Sequence, residues 1–160
     1  MTSVLVVDDN EQNLYLLQAL FSGHAYAVSI AADGVEALEK ARESHPDVII
    51  TDILMPRMDG YALCRQWKLD EKLRHIPLVF YTGTYTDPKD RQLALDMGAD
   101  RFVLKPQEPE VLLAIVEEVM LDIMFELPDQ EAGQKYCITD DVVYGRTKLF
   151  PLPERKNKSA

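Results

Sequence analysis

Residues 47–67 read DVIITDILMPRMDGYALCRQW. Val48, Ile49 and Ile50 are a continuous apolar run with no polar alternation, the pattern of a strand buried on both faces. The run ends at Asp52. Pro56 and Gly60 mark a loop. From about Gly60, Leu63, Cys64 and Trp67 recur at helical spacing, and Trp67, four residues after Leu63, is expected in the core of that helix. The unit is a strand, a loop that opens on a carboxylate, and a helix.

The same unit recurs on both sides. Ser3–Val7 is an apolar strand ending in Asp8-Asp9-Asn10, followed by Leu14, Leu17, Ala19 and Leu20 at helical spacing. Ala27–Ala31 reads as a second strand. Asp33 is placed to cap a helix whose stripe is Val35, Leu38 and Ala41. Residues 77–81 form a fourth strand. Asp87-Pro88 then supplies an N-cap acid and a proline at the first helical position, ahead of Leu93, Ala94 and Met97, and Gly98 stops the helix. Arg101–Leu104 is a fifth strand. Val111, Leu112, Ile115, Val116 and Val119 form the stripe of a fifth helix that ends near Met124. Five βα units with apolar strands predict an α/β fold, a doubly wound parallel sheet covered by helices on both faces. Ligands bind such sheets at the carboxyl ends of the strands.

The pattern breaks near Phe125. Residues 1–124 read as one domain and 125–160 as a C-terminal extension. Short strands are expected at 136–139 and 142–144 around an Asp140-Asp141 turn, and residues 151–160 are expected to be mobile. A segment of this length rarely folds alone, so it packs on the main domain, pairs with another chain, or begins something longer.

The composition is that of a globular chain: 160 residues, 47% hydrophobic and 28% charged. The net charge is −10, and residues 1–124 carry 21 acids against 11 bases, whereas 125–160 carry 6 of each. The excess argues against direct binding to nucleic acid or an anionic membrane. Apolar runs such as 4–7 and 48–50 are too short to span a bilayer, and no signal-peptide pattern opens the chain. A cytoplasmic chain is expected, with Cys64 and Cys137 as free thiols. His24, His45 and His75 stand at no metal-ligand spacing and are expected to be ordinary surface or loop residues.

Chemistry gathers at the strand ends. Asp8 and Asp9 follow the first strand and Asp52 the third; Thr82 follows the fourth and Lys105 the fifth. Three carboxylates at one edge repel unless a cation sits among them, and hard oxygen ligands suit Mg²⁺. A carboxylate beside Mg²⁺ can act as a nucleophile toward phosphorus. Lys105 offers a cation and Thr82 a hydroxyl to the phosphoryl oxygens, which are the parts phosphoryl transfer requires.

The chain resembles the receiver domain of two-component response regulators over residues 1 to about 124. Val4-Leu-Val-Val-Asp-Asp-Asn10 resembles the family's opening acidic pair, and residues 52–60 its DxxMPxMDG loop. Tyr81-Thr82-Gly83 is similar to its strand-end hydroxyl and small residue, and Gly98-Ala99-Asp100 through Lys105-Pro106 to its closing GAD…KP. The resemblance implies a flavodoxin-like sheet of strand order 2-1-3-4-5 with five helices. It implies that Asp52 accepts a phosphoryl group from a histidine kinase or phosphotransfer protein. Asp9, Asp52 and the backbone carbonyl of Leu54 would ligate Mg²⁺ (or Mn²⁺), with Asp8 bound through water or hydrogen bonds. Lys105 would pair with the phosphoryl group across a cis Lys105–Pro106 peptide. Thr82 and Phe102 would form the switch, acting on the face of the fourth helix, fifth strand and fifth helix. That face would control a downstream protein or an attached output domain, and could form a homodimer.

Phe102 has no hydroxyl, so a switch there works through packing. Gly83 keeps the pocket open. Leu54 and Thr84 offer no acid or amide to position a hydrolytic water, which predicts a long-lived phosphoryl group. On this reading the domain catalyses only its own phosphorylation and dephosphorylation and is not an enzyme toward a separate substrate. Two other readings stand beside it. A Mg²⁺-dependent phosphohydrolase forming an aspartyl-phosphate would place its nucleophile in a DxD arrangement after the first strand, where this chain has adjacent Asp8 and Asp9. A degenerate receiver would serve only as a binding module. The extension is shorter than the roughly 60 residues a DNA-binding output domain needs for its own core, and it carries no basic stripe.

Overall fold

The computed structural model describes residues 1–84 and 87–125, together with strand residues 136–138 and 149–151. Five strands alternate with five helices: β1 (Ser3–Val7), α1 (Glu11–Ser22), β2 (Ala27–Ala31), α2 (Gly34–Glu43), β3 (Val48–Thr51), α3 (Gly60–Leu69), β4 (Leu78–Thr82), α4 (Pro88–Asp96), β5 (Arg101–Leu104) and α5 (Pro109–Phe125). The strands form one parallel sheet in the order β2-β1-β3-β4-β5. This is the doubly wound sheet that the alternation of elements implied, in the flavodoxin-like order that the family resemblance implied.

Alternation along each strand divides the core into two layers. Leu5, Ile49, Leu78, Phe80 and Phe102 face α2, α3 and α4, where Leu38, Leu63, Trp67 and Ala94 pack on them. Val4, Val6, Val48, Ile50, Val79 and Val103 face α1 and α5, against Leu14, Leu17, Phe21, Leu112, Ile115 and Val116. Every residue of β3 and β4 is buried, because helices cover both faces. Trp67 is in the core as expected, and its ring N–H donates to the Ile76 carbonyl at 3.0 Å. The edge strand β2 differs: only Ala31 is buried, since β2 has one neighbour in the sheet.

Side-chain caps start four helices. Asn10 accepts from Asn13 N, Asp33 from Glu36 N, Asp59 from Ala62 N and Asp87 from Lys89 N. The acids after the strands therefore fall into two groups: some cap helices, and the rest are left to face the edge of the sheet.

Two more short strands, β6 (Tyr136–Ile138) and β7 (Leu149–Pro151), pair antiparallel. The expected partner of the first, at 142–144, lies outside the described residues. The strand that does pair is Leu149–Pro151. A two-residue hairpin turn favours Asn-Gly or Asp-Gly, and Asp140-Asp141 lacks the glycine. The expectation of mobility for 151–160 also lies outside the described residues, apart from Pro151.

Candidate functional site

Register brings the strand ends together. Val7 pairs with Thr51, Thr51 with Phe80, and Thr82 with Leu104. Asp8, Asp52, Thr82 and Lys105 each lie at or one residue past those pairs, on one edge of the sheet.

Carboxylate oxygens of Asp8, Asp9 and Asp52 lie within 4.8 Å of one another. Asp8 is 2% exposed and engaged on both oxygens. Oδ1 accepts from Asn10 N at 2.9 Å, and Oδ2 accepts from Asn13 Nδ2 at 3.2 Å and Lys105 Nζ at 2.6 Å. Asp52 Oδ1 accepts from its neighbour's backbone, Ile53 N, at 2.7 Å, and Oδ2 accepts from Lys105 Nζ at 3.2 Å. Asp9 is exposed to solvent.

Lys105 thus bridges two carboxylates from different strands. Burial works against its charge, but the hydrogen bond to Asp8 and the charge of Asp52 outweigh this and raise its pKa above the usual lysine value. Its ammonium also stands 5.4 Å from the centre of the Tyr81 ring. One ammonium against three carboxylates leaves an excess of negative charge. The donors are all hard oxygens, with no thiolate or imidazole among them, so the set fits Mg²⁺ or a similar cation.

The loop after Asp52 comes very close to it. A Cβ on Gly60 would stand 2.4 Å from the Asp52 carbonyl oxygen and 2.8 Å from Ile53 Cα, so only glycine fits there. Thr82 is fully buried, and its Oγ1 accepts from Thr84 N at 3.3 Å. Phe102 is 6% exposed and packed in the core layer beside α4. The Lys105–Pro106 peptide is cis.

Residues 4–117 match the family model of the response regulator receiver domain. The chain belongs to this family. The response regulator PleD of Caulobacter vibrioides is 42% identical over 116 residues, which is 72% of this chain. The matched stretch is 25% of PleD, so the chain spans about a quarter of that relative. The crystal structure of the receiver domain of a signal transduction histidine kinase from Syntrophus aciditrophicus superposes with a TM-score of 0.72 at 33% identity, covering 81% of this chain and 98% of that one. The receiver domain of the sensor histidine kinase PA1611 from Pseudomonas aeruginosa superposes with a TM-score of 0.69 at 28% identity, covering 74% and 97%. That protein holds a magnesium ion coordinated in its active site cleft.

In this receiver domain the residues singled out in the sequence do not all lie at the same depth. Asp8, Asp9, Asp52 and Lys105 form one connected group, whereas the Leu54 side chain points outward at 54% exposure. Gly83 corrects an expectation. A Cβ there would meet Lys105 Cβ at 3.5 Å, an ordinary contact, so an open pocket does not depend on this glycine. Three supporting residues escaped the sequence reading. Asn13 donates to Asp8, and one turn of α1 from the Asn10 cap is the signal that could have placed it. The Tyr81 hydroxyl accepts from Gln107 N at 3.0 Å, and the Gln107 side chain donates to the Leu104 carbonyl at 2.9 Å. Tyr81 lies in an apolar strand run and reads there as filler, and Gln107 carries no pattern at all. Among the described residues, no helix is long and apolar enough to cross a membrane.

Proposed function

We propose that Asp52 is the phosphoacceptor of this receiver domain, taking a phosphoryl group from the phosphohistidine of a histidine kinase or phosphotransfer protein. The observation that carries this reading is Lys105 Nζ bridging Asp8 and Asp52, at 2.6 and 3.2 Å. Of the three clustered acids, Asp52 is the one both within reach of that cation and only partly buried. An Asp52 carboxylate oxygen attacks phosphorus, the phosphorus–nitrogen bond breaks, and the imidazole leaves with the electron pair. Lys105 then exchanges its contact with Asp52 for the phosphoryl oxygens. The Thr82 hydroxyl accepts from the backbone in this structure, which leaves its proton to donate to the phosphoryl group. Phe102, buried in the core layer beside α4, transmits the change through shape alone.

Asp9, Asp52 and the Leu54 carbonyl would hold Mg²⁺ or Mn²⁺ directly, and Asp8, its oxygens already engaged, would hold it through water. The ion would supply charge neutralisation for the phosphoryl oxygens. The magnesium in the PA1611 receiver supports this assignment.

The receiver ends near residue 124, and residues 125–160 are an extension. The domain acts in the cytoplasm, turns over no separate substrate and binds neither nucleic acid nor membrane. It signals through α4, β5 and α5 to a downstream protein, an attached domain or a second copy. The phosphohydrolase reading loses support, because the relatives are response regulators. The intact acidic cluster speaks against a degenerate receiver.

The test is phosphotransfer from a phosphorylated histidine kinase, in Mg²⁺, to wild type and to Asp52→Ala. Label on wild type alone is the expected result. Label retained on the Ala variant would remove Asp52 as the acceptor, and steady turnover of a small phosphate ester would restore the hydrolase.

A further inference from the structure

The loop between Asp52 and α3 is fastened at two places. At its foot, Gly60 N donates to the Ile53 carbonyl at 2.7 Å. Its tip lies against the start of α2: Gly34 N donates to the Met58 carbonyl at 3.1 Å, and Arg57 Nε donates to Asp33 Oδ2 at 2.7 Å. A Cβ on Gly34 would stand 2.7 Å from Met58 Cγ, so this approach depends on glycine. Leu54 lies between the two fastenings.

Arg57 adopts φ of 61°, the left-handed region that side chains other than glycine rarely occupy. Such conformations persist where surrounding contacts hold them, and they gather at functional sites. The contact here is specific. Asp33 is buried, and its other oxygen caps α2 by accepting from Glu36 N at 3.0 Å. Although burial opposes it, the hydrogen bond from Arg57 helps hold this carboxyl below its usual range. The arginine side chain itself is largely exposed and packs no core. Its strongest interaction is the pair with Asp33, with weaker attraction from Glu39 and Glu36.

We propose that Arg57 is a positioning residue. By pairing with Asp33 it fixes the loop that carries the Leu54 carbonyl, and so sets the affinity of the acidic cluster for a divalent cation. This rests on the metal reading given under the proposed function.

The test is calorimetric titration of the full chain with MgCl₂, beside denaturant unfolding in chelator. Arg57→Gln should weaken Mg²⁺ binding about tenfold, the lower end of what partners behind a ligand set contribute. Asp33→Asn, which keeps a cap acceptor, should weaken it similarly, and the double variant no further. Arg57→Lys should recover most of the affinity. Arg57→Gly removes the left-handed strain together with the pair. It should leave metal-free stability unchanged or higher while still weakening Mg²⁺, a split that a purely structural role would not produce. Variants that bind Mg²⁺ as tightly as a wild type that does bind it would overturn this inference alone. A wild type that binds no Mg²⁺ would overturn the metal reading and this inference with it.

Discussion

Gly60 and Gly83 both stand beside the acidic cluster, and they differ in what a methyl group would meet. Gly60→Ala would press on the Asp52 carbonyl oxygen at 2.4 Å, backbone that cannot move without moving the carboxylate. It should cost about 2–3 kcal/mol, the scale of overpacking, measured by urea unfolding. Gly83→Ala meets only ordinary contact at 3.5 Å and should raise stability by about 0.5 kcal/mol through a less flexible unfolded chain. In the sequence Gly60 reads as shaping a loop and Gly83 as keeping the pocket open, and neither reading contains the clash that separates them. The difference lies in neighbours that no local pattern contains. Leu54 offers a second residue-scale test, because its outward side chain leaves the carbonyl unaffected by substitution. Leu54→Glu supplies a carboxylate to orient water and should shorten the phosphoryl lifetime about tenfold, a fraction of what a well-placed base gives. A wild-type half-life of seconds would already contradict the expectation of a long-lived phosphoryl group.

Among the elements, α4 depends most on its ends. Asp87 caps it, Asp90 returns the bond to complete a capping box, and Pro88 opens it, yet Ala94 is its one buried residue. Leu93, expected on the inner stripe, is 49% exposed. Removing the cap with Asp87→Ala should cost about 1 kcal/mol and should appear as faster amide exchange confined to the first turn of α4. The starts at Asp33 and Asp87 were legible in the sequence because a cap and the backbone N–H it accepts from lie within three residues. Burial was less so. Ala19 lies on the expected α1 stripe but is exposed, whereas Phe21 fills the core instead. Helical periodicity fixes the spacing of a stripe, and the sheet beneath decides which of its members touch.

For the whole molecule, cation binding and folding are linked. Mg²⁺ at a hundred times its dissociation constant should stabilise the chain by about 2.7 kcal/mol. Asp9→Asn should remove most of that gain while raising the denaturant midpoint in chelator, since it relieves repulsion within the cluster. A second linkage runs through Cys64. Burial, together with the nearby charge of Asp100 and partly offset by Lys68, pushes its thiol up to about 11. In the unfolded chain the thiol releases its proton near its ordinary value of about 8.5. Between those values the unfolded state binds fewer protons than the folded state, so stability falls as pH rises. The loss should total about 3 kcal/mol relative to Cys64→Ala, read from urea midpoints across that range.

The order of strands and helices, the caps at Asp33 and Asp87, and the carboxylates and lysine at the strand ends were set by the sequence itself, because each rests on residues a few positions apart. The tertiary structure alone decided which oxygens Lys105 bridges, since Asp8 and Asp52 lie 97 and 53 residues away along the chain. It also decided that Arg57 reaches Asp33 across 24 residues. Such contacts follow from sheet register and the packing of loops on neighbouring elements, which no local periodicity encodes.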